Sequence, residues 1–202
     1  SFYDSLQDRS FSRAVDLLQE SQRGLTTAVT KKTYWSFDSE DGRKFGSIQG
    51  AYTKDGGVYN LAGCYLSKYQ GVNIAGVRRL IDDYPVYRYA DLLLMLAEAK
   101  AVLGEDITAE INLVRARAYA GNYNESTHGY PNQPGDDDIN ETLLRERLFE
   151  FIGEGKRWYD ILRFGKEYVF KYTTAKQDHL LLWPIDINTL TRNRALQQNP
   201  GY

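Results

Sequence analysis

The sequence predicts a mainly α-helical protein that combines a helical hairpin of the tetratricopeptide kind with irregular loops. Two observations support this fold class. Apolar residues recur at three- and four-residue steps over much of residues 84–165, as on one face of a helix. Two of the resulting helices are joined by the short turn Gly104–Asp106, so they must lie antiparallel. We find no second copy of this pair at a fixed period, so a repeat array is not predicted.

The chain is organised around one long helix, predicted over Tyr87–Leu103. Pro85 suits a first turn, and Gly104 suits the left-handed residue that ends a helix. The apolar stripe is broad, so we expect the rest of the protein to cover this helix on most sides. The stripe consists of Tyr89, Leu92, Leu93, Leu96, Ala99 and Leu103, and it is widened by Leu94, Met95 and Val102.

Further helices follow from capping signals. Asp106 or Thr108 caps a second helix that runs to about Ala120, and Asp138 with Glu141 forms a capping box for a third. That third helix breaks at Gly153 and Gly155, its pattern resumes up to Gly165, and a short helix is predicted over Lys166–Tyr172. Residues 180–202 are predicted to form an extended tail. We call residues 84–165 the helical scaffold.

Residues 26–80 form a different region, which we call the aromatic layer. Glycines interrupt any long helical period there, and aromatic residues are interleaved among them. Short strands are predicted at Thr33–Phe37, Val58–Ala62 and Cys64–Lys68, and Asp55-Gly56-Gly57 is a hairpin-turn signal. Binding residues tend to lie on loops that a rigid scaffold positions, so this layer is the expected binding region.

The start of the chain reads as an amphipathic helix over residues 1–25. It carries no initiator methionine, basic segment or apolar signal segment. We therefore expect residues 1–202 to be the C-terminal portion of a longer domain whose N-terminal part is missing.

Composition excludes several classes of protein. The net charge of −2 without a basic block argues against nucleic-acid binding. No apolar run reaches the about 18 residues that a membrane-spanning helix needs. Cys64 is the one cysteine, so neither an internal disulfide nor a cysteine zinc site can form, and we expect an inert, half-buried thiol.

We predict that the chain is not an enzyme and needs no cofactor or metal. It has two histidines and no Gly-x-Ser-x-Gly elbow, and a loose calcium site at Asp38–Asp41 is less favoured than a solvated turn. Glu146, Glu150 and Glu154 recur at four-residue steps among arginines, which predicts a salt-bridged helix face at the Gly153–Gly155 bend. A glycoside hydrolase that uses Glu146 and Glu154 is the alternative, and burial of both in arginine pairs would end it.

The aromatic residues are the strongest sign of binding. The chain contains 16 Tyr, 8 Phe and 3 Trp, and exposed rings offer flat apolar area to the C–H face of a sugar while nearby polar groups pair with its hydroxyls. Each ring could instead belong to the core. The predicted ligand-binding residues, led by Trp35, are Trp35, Tyr34, Tyr52, Tyr59, Tyr65, Asp38, Arg43 and Asn60.

The motifs together resemble the C-terminal part of the SusD/RagB-like proteins, which are surface nutrient-binding lipoproteins of Bacteroidetes. The resemblance covers nearly all of residues 80–202, although Asp91 stands where the family usually has Glu. The stretches that carry it, in chain order, are Tyr84–Asp91 with Leu94–Ala99, Ile111–Ala118, Arg145–Asp160 running into Leu162–Gly165, and Leu182–Ile185 with Gln198–Tyr202.

This resemblance implies a SusD-like fold and binding without catalysis. It implies an oligosaccharide ligand, or a peptide in some members, that is handed to a SusC-like TonB-dependent transporter. It also implies a lipid on an N-terminal cysteine outside this fragment, which tethers the protein to the outer membrane at the cell surface. Binding residues vary within the family, so none is carried over by position. A helical protein-interaction scaffold without a small ligand is the competing hypothesis.

Overall fold

The structure, a computed structural model, describes residues 27–69, 72–75, 77–79 and 81–202. The helix predicted over residues 1–25 lies outside the described residues. The chain divides into two compact units, Ser1–Glu154 and Gly155–Tyr202. Helices predominate in the described residues and a small sheet accompanies them, so the predicted fold class is confirmed.

The small sheet belongs to the aromatic layer. Strands β1 (Ala28–Val29), β2 (Ile48–Asp55) and β3 (Val58–Leu66) form an antiparallel sheet in the order β1-β3-β2, and β4 (Val72–Ile74) pairs separately with β5 (Val77–Arg79). The predicted hairpin turn is confirmed between β2 and β3. Gly56 and Gly57 have φ values of 53° and 86°, and a two-residue turn of this kind requires two positive φ values.

Two short helices in this layer depart from the prediction. Helix α1 (Lys31–Ser36) replaces the strand predicted at Thr33–Phe37, and α2 (Gly42–Ser47) was not predicted. The Thr30 hydroxyl accepts the Thr33 N–H at 3.1 Å and so caps α1. Tyr34 and Phe37 lie three residues apart and are both buried, which is a helical spacing and not a strand spacing.

The three long helices predicted in the scaffold are confirmed as α3 (Tyr89–Leu103), α4 (Thr108–Tyr119) and α6 (Ile139–Phe151), although α3 begins two residues later than predicted. The single-turn helix α5 (Glu125–His128) was not predicted and lies in the polar stretch that follows α4. Gly104 ends α3 with φ 73°, and its N–H reaches the carbonyls of the last helical turn. The Asp138 carboxylate accepts the N–H groups of Asn140 and Glu141 at the start of α6. Helix α3 packs against both α4 and α6.

The expectation that α3 is covered on most sides is wrong. Its buried residues are Ala90, Asp91, Leu94 and Ala97, which lie on the side that meets α4 and α6. Apart from Leu94, most of the broad apolar stripe lies on the other side. The exposed members of this stripe, which we call the α3 apolar face, are Tyr89, Leu92, Met95, Leu96, Val102 and Leu103.

The core of the first unit joins the sheet to α6. Its buried members share the space between α1, β2, β3 and α6, and the rings of Phe37 and Phe149 stack with centroids 4.0 Å apart. The cluster consists of Tyr34, Phe37, Ile48, Cys64 and Phe149.

The second unit contains α7 (Arg157–Phe164), α8 (Lys166–Tyr172), a 3₁₀ turn (Asp178–Leu181) and α9 (Ile187–Arg192). The predicted helix Lys166–Tyr172 is confirmed. The tail is less extended than predicted, because Asp186 caps α9 by accepting the Thr189 N–H at 3.1 Å. Beyond α9 the chain folds back: the Gln198 carboxamide bonds to both the N–H (2.8 Å) and the carbonyl (2.9 Å) of Ile185.

Candidate binding site

Helix α1 and strand β2 bring three of the predicted aromatic residues together. The Tyr34 and Tyr52 hydroxyls lie 3.2 Å apart, and the rings of Tyr34 and Trp35 meet edge to face with centroids 5.0 Å apart. Tyr34 is 5% exposed, whereas Trp35 is 53% exposed. Trp35 is therefore the outward member of a supported ring pair.

The buried ammonium group of Lys44 supports the Trp35 ring from the protein side. The Lys44 Nζ lies 4.7 Å from the ring centre of Tyr34, 5.1 Å from that of Trp35 and 5.8 Å from that of Phe45. Burial lowers the pKa of Lys44, and the aromatic faces compensate part of the lost hydration. We call Trp35, Lys44 and Phe45 the aromatic platform, because both rings remain exposed above the buried ammonium group.

Lys44 and Phe45 were not among the predicted site residues. They come from α2, and the short Lys-Phe pair carries no periodic signal in the sequence. Only the position of α2 beside α1 reveals that the cation lies under Trp35.

The other predicted residues are divided between surface and interior. Tyr52 and Tyr59 are half-buried and share one face of the β2–β3 hairpin, because Tyr52 pairs with Leu61 and Tyr59 lies two residues from Leu61. Asn60 is exposed on the opposite face. Asp38 is exposed as well, and its carboxylate accepts the Glu40 N–H of its own turn at 2.9 Å.

Three predicted site residues point inward. Tyr34 belongs to the core, and Tyr65 is buried over Gly63, where an added Cβ would come within 2.7 Å of the Tyr65 hydroxyl. Arg43 is buried among carboxylates. These side chains therefore cannot contribute to a binding surface around Trp35.

The carboxylates that surround Arg43 form a buried ion-pair network. Arg43 donates to Asp41 at 2.7 Å and to Glu146 at 2.8 Å, and Arg115 donates to Glu146 at 2.9 Å and to Asp136 at 2.8 Å. Burial alone would raise the pKa of Glu146, but the two guanidinium groups outweigh it and hold that pKa below its ordinary value. Glu146 thus stays ionised in the interior.

The network continues along α6 to the bend. Arg88 binds Glu150 and donates to Glu154 at 2.9 Å, while Lys68 donates to Glu154 at 2.8 Å. The predicted salt-bridged face at the Gly153–Gly155 bend is confirmed. Glu146 and Glu154 are both buried in such pairs, so the hydrolase alternative that depended on them is rejected.

A cleft of about 580 Å³ opens beside this network. Four of its lining residues are basic and two are acidic, and small residues of α2 and α4 form one wall. The charged lining residues are Arg43, Lys68, Arg88, Arg117, Glu150 and Glu154; the remainder are Gly42, Gly46, Ser47, Tyr69, Pro85, Ala118 and Ala120.

The weaker alternatives find no support in the described part of the chain. In the acidic turn considered for calcium, Asp41 is paired with Arg43 and Asp38 bonds to its own turn. Within the described ranges no group of three or more His, Cys, Asp or Glu could hold a metal ion. No helix found there has the length and apolar character to cross a bilayer.

The fold and these motifs define a helical, SusD-type scaffold that carries an exposed aromatic platform. The chain belongs to the SusD family, whose model matches residues 15–179. It is 30% identical to SusD-like protein P2 of Formosa agariphila over 93% of this chain and 42% of the relative. It is 29% identical to the starch-binding protein SusD of Bacteroides thetaiotaomicron over 59% of this chain and 22% of the relative.

Solved structures agree with this assignment. NanU of B. fragilis matches 84% of this chain with a TM-score of 0.78 and 46% identity, and the match covers 38% of that structure. The chain therefore spans less than half the length of the relatives it matches.

Proposed function

We propose that this chain is part of a non-catalytic protein that binds nutrient oligosaccharides at its aromatic platform. The observation that carries the proposal is the half-exposed Trp35 ring, held in place by Tyr34 and the buried Lys44 in a chain of the SusD family. One relative is named a starch-binding protein, which supports a sugar as the ligand.

The platform suits a pyranose ring for physical reasons. The Trp35 and Phe45 rings offer apolar area to the C–H face of a sugar, and their support from below lowers the entropy lost on binding. Exposed Asp38 and half-buried Tyr52 and Tyr59 are the predicted residues that can add hydrogen bonds at its margins, and they belong to the proposed site. Asn60 does not, because it lies on the other face of the hairpin from Tyr52 and Tyr59.

The setting of this binding comes from the family resemblance. We propose that the whole protein is lipid-anchored in the outer membrane, faces the cell exterior and delivers its ligand to a SusC-like TonB-dependent transporter. Within the family a peptide is the alternative ligand.

The α3 apolar face favours a second candidate function, a helical protein-interaction scaffold. Tyr89, Leu92 and Leu96 are 70%, 58% and 48% exposed on consecutive turns of one helix side. Exposed apolar areas of this kind are typical of protein–protein contacts. This candidate predicts no affinity for small ligands, whereas the platform predicts saturable binding.

Tryptophan fluorescence separates these candidates. The whole protein is titrated with plant, host and microbial oligosaccharides and with mixed peptides, and the titration is repeated with Trp35→Ala. Trp183→Ala is the matched control, because Trp183 is 72% exposed in the second unit. We expect saturable quenching by one sugar class that disappears with Trp35→Ala and survives Trp183→Ala.

Other outcomes contradict the proposal in distinct ways. Quenching that survives Trp35→Ala would move the site away from the platform. A response to peptides alone would change the ligand class, and no response to any sugar or peptide would favour the scaffold.

A further inference from the structure

We propose that the cleft beside the ion-pair network is a second subsite, which binds a sugar residue that carries a carboxylate. Arg117 is the residue that we assign to the carboxylate, and Tyr69 is the one that we assign to the sugar ring. This inference extends the proposed oligosaccharide binding and rests on it for the choice of a sugar.

The cleft has the size and access of a ligand site. Its volume of about 580 Å³ falls in the range of small-molecule sites, roughly 300–1,000 Å³. The wall from α2 is open, because a Cβ added at Gly46 would meet no atom within 4 Å. At Gly42, a Cβ would lie 3.0 Å from the Ala118 carbonyl, so glycine there allows α2 to approach α4 closely.

The charge of the lining favours an anion. Its four basic residues outnumber its two carboxylates. Arg88 directs its guanidinium to Glu150 and Glu154, Lys68 bonds to the same two residues, and Arg43 is enclosed by Asp41 and Glu146. The positive charge that remains is therefore carried by the other basic residue, Arg117.

Arg117 differs from its neighbours in having donors to spare. One nitrogen, Nη2, binds the Glu150 carboxylate, and the side chain is 58% exposed. Its Nε and Nη1 have no hydrogen-bond partner among the residues that the structure describes. A guanidinium presents its N–H groups in a planar fork that fits a carboxylate, and Glu150 fixes one end of that fork.

Tyr69 supplies the apolar part of the subsite. It lines the cleft, and its ring packs against that of Tyr84 with centroids 5.1 Å apart. Its φ of 59° is in the left-handed region, which is uncommon for a tyrosine and often accompanies functional positions. A sugar that stacks on Tyr69 can direct an equatorial carboxylate toward a basic wall.

One short helix connects this cleft to the aromatic platform. Gly42, Arg43, Gly46 and Ser47 of α2 line the cleft, while the intervening Lys44 and Phe45 belong to the platform. This alternation places the two surfaces on opposite sides of α2, about one helix diameter or 10–12 Å apart.

Arginine-detected NMR of the whole protein tests the subsite. The Nε–Hε signal of Arg117 is followed while sodium glucuronate, sodium galacturonate, methyl glucoside or sodium acetate is added at constant ionic strength. We expect at least one of the acidic sugars to shift this signal saturably and to bind at least about tenfold more tightly than the glucoside, as a charge-assisted hydrogen-bond pair implies. It should also bind more tightly than acetate, which has the carboxylate but lacks the ring that packs on Tyr69.

Two variants make the test specific. Arg117→Gln should abolish the preference for the acidic sugar, and Arg117→Lys should retain part of it because the charge remains without the fork. Both should fold, since Glu150 keeps its pair with Arg88. Arg192→Gln, which removes an exposed arginine of α9, is the matched control and should change nothing.

The contradicting results are equally specific. Equal binding of acetate would reduce the cleft to a simple anion site, equal binding of the glucoside would remove the role of charge, and no saturable shift with either acidic sugar would reject the subsite. The Trp35 titration with neutral oligosaccharides is independent of Arg117. It can therefore succeed when the subsite fails, which keeps the two proposals separable.

Discussion

The ion-pair network and the aromatic platform both bury cations, but they leave different groups at the surface. Arg115 and Arg43 are enclosed by carboxylates, so little of the network remains available to a ligand. Lys44 is enclosed by rings, and two of those rings remain exposed. The comparison shows that a buried cation can serve either as scaffold or as the support of a binding surface. The groups that cover the cation, carboxylates or exposed rings, decide which of these two roles it has.

The largest expected effect comes from removing the centre of the network. Arg115→Ala leaves Glu146 and Asp136 buried with fewer positive partners, and breaking such a pair costs about 3–5 kcal/mol of unfolding free energy. Urea unfolding followed by circular dichroism measures this loss. Arg192→Ala is the control and should stay within about 0.5 kcal/mol of the unchanged protein. A loss below about 1 kcal/mol for Arg115→Ala would contradict a structural role for the network.

The adjacent pair Tyr34 and Trp35 tests the platform in the same assay. Tyr34→Ala should cost about 3 kcal/mol, because it opens a cavity in the core cluster and removes the contact with Tyr52. Trp35→Ala should cost less than about 1 kcal/mol, since half of that ring is exposed, while it abolishes ligand quenching. Equal costs for the two changes would mean that Trp35 is a core residue.

Acidification should weaken the network in a defined direction. The pKa values of Glu146, Glu154 and Asp136 are held below their ordinary values: burial alone would raise them, but the paired cations outweigh it. The unfolded chain therefore takes up protons first, near its pKa values of 4.5 for Glu and 3.8 for Asp. Stability is fully present above these values and is lost as the pH falls through and below them, by about 1.4 kcal/mol for each unit of pKa shift.

Thermal melts between about pH 7 and about pH 3 check this expectation. Repeating the series at about 0.5 M salt is the control, because buried pairs are screened far less than exposed ones. A melting temperature that is independent of pH below about 5, or a slope that vanishes in salt, would show that the pairs are not buried as described.

The smallest effect is expected at Cys64. Burial raises the pKa of its thiol to about 11, and the residue is 2% exposed in the core cluster. Iodoacetamide at about pH 8 should leave the folded protein unmodified, because it reacts with the thiolate. The same reagent in urea is the positive control, and mass spectrometry counts the adducts. Comparable labelling of the folded protein would place Cys64 at the surface.

The sequence predicts elements well where a local cap determines their ends. Gly104 ends α3, Asp138 begins α6, and Lys166–Tyr172 forms a helix, all as predicted. Each boundary is marked by a residue beside it in the sequence: Gly104, Asp138 and Gly165. By contrast, the β-branched and aromatic run Thr33–Phe37 favours a strand, and the cap from Thr30 together with the burial of Phe37 makes it a helix.

The binding surface was less predictable because it depends on contacts between distant elements. Tyr34 and Trp35 are neighbours of the same chemical class, yet one is buried and the other exposed. The difference comes from Tyr52 on β2 and Lys44 on α2, and neither distance is visible in the sequence. Arg43 is the opposite case. In the sequence it is a polar residue near aromatic ones, which predicts a ligand contact, but in the structure its guanidinium donates to the buried Glu146.

The side chain of Gln198 joins the end of the chain to Ile185 by two hydrogen bonds. Its carboxamide accepts one hydrogen bond from Ile185 and donates another to it, so a single side chain reproduces the pairing that a neighbouring strand would offer. The closing residue must be both acceptor and donor, and the uncharged amide of Gln198 supplies the two groups side by side. Glutamate at this position would keep the acceptor but place a second acceptor against the Ile185 carbonyl. The orientation of this amide group therefore fixes one of the contacts that hold the last residues, beside those that Asn199 and Tyr202 make to the carbonyls of Trp183 and Leu182.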